Sequence, residues 1–125
     1  MPLTARPLHD GWIVRATAGP VPAAITAAAP IAAEVPGCVH LDLMRAGLIP
    51  DPYLDDNEAL LAWIGLVDWE YRGIFDVDAA ALASASVHDL VFDGLDTVAE
   101  VRLNGDVLGR TANQHRTYRF TVTDL

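Results

Sequence analysis

The chain contains no lysine, so all eight of its basic residues are arginines, against 17 aspartates and glutamates. The formal net charge is −9 at pH 7, and the arginines are spread along the chain rather than gathered in one segment. An acidic surface without a basic cluster repels a phosphate backbone and an anionic membrane. We therefore expect neither nucleic acid nor a membrane among the partners.

Cysteine is almost missing, since Cys38 is the only one. A single cysteine cannot form an internal disulfide, which excludes a disulfide-stapled secreted scaffold. No run approaches the roughly 20 apolar residues of a membrane span. The first residues also lack the Leu-rich segment of a signal peptide. These observations favour a cytoplasmic protein.

The length of 125 residues and a hydrophobic content of 52% predict one packed domain over residues 1–125. In the first half, alternation predicts a strand over 8–17, and four prolines predict an extended connection over 20–36. Helical spacing then predicts a short helix over 39–46, closed by Gly47. A second short helix is expected to begin at Asp55 or Asp56 and to end at Gly65.

The second half alternates apolar and polar residues with a period of two. The longest such stretch is 67–77, in which Gly73 marks a bulge or a close approach. Further strands are predicted at 88–93, 99–103 and 117–123, and Asn104-Gly105 predicts a tight hairpin turn. An antiparallel set preceded by short helices predicts an all-β sandwich of two sheets. Because the chain stops directly after a strand, we expect the sandwich to lack its last strands.

Several stretches between Leu8 and Leu125 carry a family pattern through their order and spacing. They are 35–43 (VPGCVHLDL), 46–53 (AGLIPDPY), 56–58 (DNE), 62–64 (AWI), 68–72 (DWEYR), 90–99 (LVFDGLDTVA), 103–105 (LNG) and 113–120 (NQHRTYRF). Together they resemble the N-terminal domain of the β-mannosidases of glycoside hydrolase family 2. The resemblance implies a jelly-roll, galactose-binding-like sandwich that packs against a catalytic (β/α)₈ barrel.

The resemblance also implies which chemistry this chain lacks. A retaining glycosidase needs two carboxylates about 5 Å apart, and the family carries both glutamates on the barrel, beyond position 125. None of the glutamates present here (Glu34, Glu58, Glu70 and Glu100) matches either one. We therefore expect a non-catalytic domain, without cofactor or metal, of an enzyme that hydrolyses terminal β-D-mannosides.

Asn57 and Glu58 are the candidate substrate-binding residues. In relatives of this fold the loop holding this asparagine borders the substrate subsite, so the resemblance implies that Asn57 hydrogen-bonds a sugar hydroxyl. The alternative is purely structural, because Asn57 and Glu58 can also cap the short helix after Asp56. The two roles are compatible.

The other chemically suggestive residues have structural explanations. Trp69 is in phase with the apolar face of its strand, and Trp63 adjoins an apolar helical face, so both are expected to pack rather than to stack on sugars. The spacing of Cys38, His40 and Asp42 is a weak metal signal; a buried thiol and a backbone-bonded histidine are the alternative. Arg116, just before the last strand, or Arg119, within it, is expected to pair with an acidic strand neighbour such as Glu100.

Two other function classes stay open at this point. A stand-alone carbohydrate-binding module would need a complete sandwich and an exposed aromatic platform, and the in-phase placement of Trp12 and Trp69 disfavours such a platform. A purely structural interaction domain would differ only in the role of Asn57. Only the first interpretation, a glycosidase domain that lacks its last strands, leaves an exposed apolar sheet edge and therefore predicts self-association.

Overall fold

Antiparallel strand pairs make up most of the regular structure in a computed structural model of the chain. The structure describes residues 5–51, 61–77, 79–83, 87–95, 98–112 and 116–122. Its contacts divide into an N-terminal unit, Leu3–Asp76, and a C-terminal unit formed mainly by Val77–Leu125. Each unit is described by itself below.

The N-terminal unit contains a three-stranded antiparallel sheet. Its strands are β1 (Ile13–Ala18), β2 (Ile31–Ala32) and β3 (Asp68–Arg72), in the order β2-β1-β3. Val14 faces Tyr71 across the β1–β3 ladder, and the register shifts between Ala16 and Ala18. Val67, just before β3, is buried and Trp69 is partly buried, as the alternation predicted, whereas the inward position predicted for Tyr71 is wrong because its side chain is exposed.

Among the described residues of this unit, three short helices accompany the sheet: α1 (Ala23–Ala28), α2 (Val39–Arg45) and a 3-10 helix (Ala62–Leu66). The prediction of α2 is confirmed, whereas the extended connection predicted for 20–36 is wrong, because it contains α1 and β2. Pro22 stands at the N-cap of α1, where a missing N–H costs nothing, and alanines with strong helix propensity follow. Cis peptide bonds precede Pro30 and Pro36.

One apolar cluster forms the core of the N-terminal unit. It consists of Ile25, Leu43, Ile49, Leu61 and Ile64, with Trp63 and Trp69 among the partly buried side chains packed against it. Each helix contributes one or more of these residues, so helices too short to be stable alone are held by packing. Val14 of β1 is also buried.

β3 is shorter than the alternation predicted, because regular pairing ends at Ile13 and Arg72. Residues 73–77 continue without strand pairing, and the Ile74 side chain is 84% exposed. Gly73 lies against the ring of Trp12, so it marks a close approach rather than a bulge within a longer strand. The inward face predicted for Phe75 and Val77 is wrong, since both are exposed.

Where the structure describes it, the C-terminal unit contains α3 (Ala79–Ala83) and four strands: β4 (Asp89–Phe92), β5 (Ala99–Leu103), β6 (Asp106–Thr111) and β7 (Tyr118–Thr121). β4 pairs with β7 and β5 with β6, both antiparallel. The predicted hairpin turn is confirmed, because Asn104 and Gly105 have positive φ angles of 52° and 86°. The predicted fold class, mostly β and antiparallel with short helices, is therefore confirmed.

Helices in the described parts of the chain are all short. None of them has the length and apolar character needed to cross a membrane.

Candidate functional site

Asn57 and Glu58 belong to residues 52–60, which lie outside the described residues, as does the helix start expected at Asp55 or Asp56. The structure does describe the chain on either side of this segment. The flanking elements are α2 and Ile49 before the segment, and Leu61 and the 3-10 helix after it.

The chain before the segment is fixed by the end of α2. Gly47 N–H donates to the Met44 carbonyl at 3.0 Å, and Leu48 N–H donates to the Leu43 carbonyl at 3.0 Å. This pair of bonds is a Schellman motif, which requires the left-handed backbone that Gly47 adopts at φ 74°. The motif reverses the chain and directs Ile49 into the apolar cluster beside Leu43.

The chain after the segment is fixed by the 3-10 helix. Leu61 and Ile64 are buried in the same cluster, and Ile64 N–H donates to the Leu61 carbonyl at 3.1 Å. The Ile64 carbonyl in turn accepts from Val67 N–H at 3.3 Å and from Trp69 Nε1 at 3.1 Å. The helix is thus fastened to the start of β3.

Ile49 before the segment and Leu61 after it therefore pack in the same apolar cluster. This packing fixes the described residues that flank 52–60.

The tryptophans are structural, as predicted. Trp63 and Trp69 are partly buried against the apolar cluster, with ring centroids 6.2 Å apart and planes tilted by 44°. Trp69 Nε1 is occupied by the Ile64 carbonyl. Neither ring presents a free platform for a sugar.

The Cys38, His40 and Asp42 side chains do not act as a set. Cys38 is exposed just before α2, so the expectation of a buried thiol is wrong. Asp42 is instead buried and occupied by hydrogen bonds to protein groups. Within the described residues, no three His, Cys, Asp or Glu side chains converge on a point that a metal ion could occupy.

Each of the three described glutamates is engaged by arginine. Glu34 pairs with Arg45 at 2.8 Å, and Glu70 pairs with Arg15 at 3.0 Å. Glu100 pairs with both Arg102 and Arg110. Carboxylates held in surface ion pairs are not arranged for acid–base work on a sugar.

The hydrogen bonds from Arg102, and then from Arg110, lower the pKa of Glu100. The expectation that Arg116 or Arg119 pairs with an acidic strand neighbour is confirmed for Arg119, although its partner is not Glu100, the example named. Arg119 pairs with Asp89 at 3.4 Å, across the β4–β7 ladder, and Arg116 lies 5.3 Å from the centre of the Tyr118 ring. Strand pairing decides these partners, because β6 rather than β7 lies beside β5.

Two clefts open on the N-terminal unit, with volumes of about 160 Å³ and about 200 Å³. The first lies beside Trp12 and Phe75, and the second beside Arg15 and Arg72. Pockets for drug-sized ligands usually measure about 300–1,000 Å³. Both clefts are therefore smaller than a typical ligand pocket.

Sequence reasoning missed the role of Asp42, which was weighed only as a metal ligand. Its carboxylate is buried inside the N-terminal unit and contacts both α2 and β3. The available signal was an aspartate between two leucines, Leu41 and Leu43, in a helix otherwise predicted to be apolar on one side. An acidic residue in such a position must find buried donors.

Comparisons with known proteins agree with this architecture. Residues 12–125 match the family described as glycosyl hydrolase 2 galactose-binding domain-like. Beta-mannosidase B of Thermothelomyces thermophilus is 40% identical over 92 residues, which make up 74% of this chain and 10% of that protein. Beta-mannosidase of Rattus norvegicus is 41% identical over 93 residues, again 74% and 10%. The chain thus spans about a tenth of the length of these relatives.

A solved structure gives the same result. The crystal structure of β-D-mannosidase from Dictyoglomus thermophilum superposes with a TM-score of 0.82 at 39% sequence identity, covering 94% of this chain and 13% of that one. At this identity the likeness extends beyond the fold. The chain therefore belongs to the galactose-binding-domain-like family of glycosyl hydrolase family 2, where it corresponds to the N-terminal domain of β-mannosidase-like enzymes.

Proposed function

We propose that this chain is the non-catalytic N-terminal domain of a β-mannosidase that hydrolyses terminal β-D-mannosides of short oligosaccharides. Its role is to support the catalytic barrel and to form one wall of the substrate pocket through Asn57 and Glu58. The observation that carries the proposal is the likeness to β-mannosidases at about 40% identity over most of the chain. The packing of Ile49 and Leu61, on either side of residues 52–60, in one apolar cluster supports the assignment of the wall.

The size of the native product is the first test. We expect immunoblotting or intact mass spectrometry of the source cells to detect a product several times larger than 13.4 kDa. That product should hydrolyse an aryl β-D-mannoside in preference to the β-galactoside and the β-glucuronide, whereas the isolated chain should hydrolyse none of them. A native product of 13.4 kDa that binds mannosides would instead identify a stand-alone carbohydrate-binding module.

The role of Asn57 is tested by Asn57→Ala in the full-length protein. Loss of one hydrogen bond to substrate should lower kcat/KM about three- to ten-fold, at an unchanged melting temperature. Asn104→Gly is the matched control, because Asn104 occupies a turn position with positive φ that glycine accepts. If Asn57→Ala lowers the melting temperature and leaves kcat/KM unchanged, Asn57 is only a helix cap.

Glu58 is proposed to border the same subsite. Its carboxylate can accept hydrogen bonds from sugar hydroxyls, and Glu58→Gln keeps the shape while removing the charge. We expect this variant to raise KM for the mannoside and to leave the circular dichroism spectrum unchanged. A lower melting temperature at constant KM would instead assign Glu58 to helix capping.

We propose a cytoplasmic location for the protein. Cys38 is an exposed free thiol, a group that persists best in a reducing compartment. Fractionation of the source cells should recover the protein with cytoplasmic markers. Recovery from the culture medium would contradict the proposal.

We also propose that the isolated chain self-associates through a sheet edge. Val91 of β4 and Val107 of β6 are exposed large apolar residues on strands of two-stranded ladders, which is the type of surface that recruits another strand. Light scattering should give a mass that rises with concentration. A constant mass of 13.4 kDa would contradict the proposal.

A further inference from the structure

Two arginines and a glutamate lie together on the face of the N-terminal sheet opposite the buried Val14. Arg15 of β1 is the registered partner of Glu70 on β3, and Ile13 is the partner of Arg72. Because alternate residues of a strand share a face and registered partners lie side by side, these four side chains are neighbours.

Both guanidiniums converge on a single carboxylate oxygen. Arg15 Nε donates to Glu70 Oε1 at 3.0 Å, and Arg72 Nη2 lies 3.4 Å from the same atom. The Arg15 and Arg72 side chains are 51% and 62% exposed, so both are open to solvent. A guanidinium has five N–H donors, so one carboxylate oxygen engages only part of what the two side chains can donate.

The two arginines also line the cleft of about 200 Å³, together with Glu70, Ile13 and Pro30. The lining residues carry two positive charges and one negative charge, in a chain whose net charge is −9. The cleft is too small for a drug-sized ligand, but a phosphate or a carboxylate group needs far less space. Ile13 and Pro30 add apolar surface, beside which charge-assisted hydrogen bonds are stronger than in open water.

We propose that this cleft binds a small oxyanion, a phosphate or a carboxylate, between the guanidiniums of Arg15 and Arg72. The two arginines repel each other, and Glu70 offsets only one of their charges. A bound oxyanion offsets the second charge and accepts hydrogen bonds from both side chains. Glu70 competes with the oxyanion for the same donors and so lowers its affinity.

Protection from phenylglyoxal tests the site arginine by arginine, in the protein at its native length. Digestion with a glutamate-specific protease and tandem mass spectrometry give the modification rate of each arginine. Inorganic phosphate that replaces chloride at constant ionic strength should slow the modification of Arg15 and Arg72 about three-fold, and the effect should saturate. Arg102 and Arg110 are the internal control, because they share Glu100 but line neither of the two clefts described above.

Variants show whether the two arginines act together. Arg72→Gln should abolish the protection of Arg15 by phosphate. Arg119→Gln is the matched control, since it removes a comparably exposed arginine that pairs with Asp89, and it should leave the protection intact. Glu70→Gln keeps the shape and removes the competing charge, so it should lower the phosphate concentration for half-protection about three- to ten-fold.

Acetate at the same ionic strength identifies the oxyanion. Protection by both anions supports a site for either, and protection by only one assigns the site to the tetrahedral phosphate or to the planar carboxylate. The proposal is overturned if neither anion protects, if Arg102 and Arg110 are protected equally, or if Arg15 stays protected in Arg72→Gln. It also fails if Arg15 and Arg72 resist phenylglyoxal without added anion while Arg102 reacts, because another part of the protein then fills the cleft.

Discussion

The indole ring of Trp12 lies directly on Gly73: a methyl group at position 73 would stand 2.8 Å from Cε2 and 2.9 Å from Cδ2 of the ring. The ring is held in place by its own Nε1, which donates to the Leu8 carbonyl at 2.6 Å. The ring cannot retreat without losing that hydrogen bond. Position 73, directly after β3, therefore accepts only glycine without a rearrangement.

Gly73→Ala should lower the free energy of unfolding by about 1–3 kcal/mol, the usual cost of overpacking. Urea denaturation followed by tryptophan fluorescence measures it, because Trp12 reports on the contact. Gly65→Ala is the matched control, since a methyl group there meets no atom within 4 Å. Equal free energies of unfolding for the two variants would show that the Trp12 ring moves aside at little cost.

A second glycine contact lies in the C-terminal unit. A methyl group at Gly109 of β6 would stand 2.7 Å from Cε1 of Phe120 on β7. Phe120 cannot simply turn away, because its ring meets Phe92 of β4 edge-on, with centroids 6.1 Å apart at 71°. The glycine thus lets β6 approach an aromatic pair that links β4 and β7.

Gly109→Ala should destabilise the chain by about 1–3 kcal/mol, and Phe120→Leu should lose part of the aromatic pair. In the double variant the smaller leucine makes room for the methyl group, so the combined loss should be smaller than the sum of the two single losses. Thermal denaturation of the four proteins in this cycle measures the difference. Strictly additive losses would show that Gly109 and Phe120 are not in contact.

Features with a local cause were predictable from the sequence. The burial of Val67 and Trp69 follows from alternation, the end of α2 from Gly47, and the hairpin turn from Asn104-Gly105. In each case a few neighbouring residues determine the backbone, so no knowledge of the rest of the fold is required.

Features decided by distant contacts were not predictable. The end of β3 depends on Trp12, about 60 residues earlier in the chain, covering Gly73. The partners of Glu100 depend on which strand lies beside β5. The helix α1 forms in a proline-rich stretch because Ile25 finds the apolar cluster, and its six residues give no helical period strong enough to reveal it.

Neither the candidate site residues nor Asp42 could be identified from local sequence spacing alone. Asn57 and Glu58 could be named only through the family resemblance, because two polar residues near a helix start are equally suited to capping. The importance of Asp42 could not be read from spacing at all. It depends on Tyr71, a residue 29 positions away, supplying a hydroxyl to a buried carboxylate.

Variants of the Asn104-Gly105 turn distinguish the free-energy cost of backbone strain from the cost of steric crowding. Gly105 has φ 86°, and a methyl group there would meet no atom within 4 Å, so Gly105→Ala tests the conformational cost alone. We expect a loss of about 1–2 kcal/mol in the free energy of unfolding. Asn104→Gly should cost less than Gly105→Ala, since glycine also accepts positive φ, although the variant also loses the interaction of Asn104. A loss in Asn104→Gly as large as that in Gly105→Ala would contradict the backbone explanation.

Glu100 provides a prediction about pH. Hydrogen bonds from Arg102, and then from Arg110, hold the pKa of its carboxyl below the ordinary value of 4.5. A group whose pKa is lower in the folded state than in the unfolded state stabilises the fold above the unfolded value. That stabilisation is lost as the pH falls through the folded value. The contribution of this cluster should therefore be complete at neutral pH and disappear in acid below about pH 4.5.

An NMR titration of the Glu100 carboxyl carbon measures this shift directly. Arg102→Gln should raise the pKa of Glu100 toward 4.5, and by more than Arg110→Gln does, because Arg102 is the stronger of the two donors. Arg116→Gln is the control, since Arg116 lies over the Tyr118 ring, and it should leave the pKa of Glu100 unchanged. Salt should weaken the shift in the wild type, because the cluster is exposed. An unchanged titration in Arg102→Gln would show that the ion pair does not form in solution.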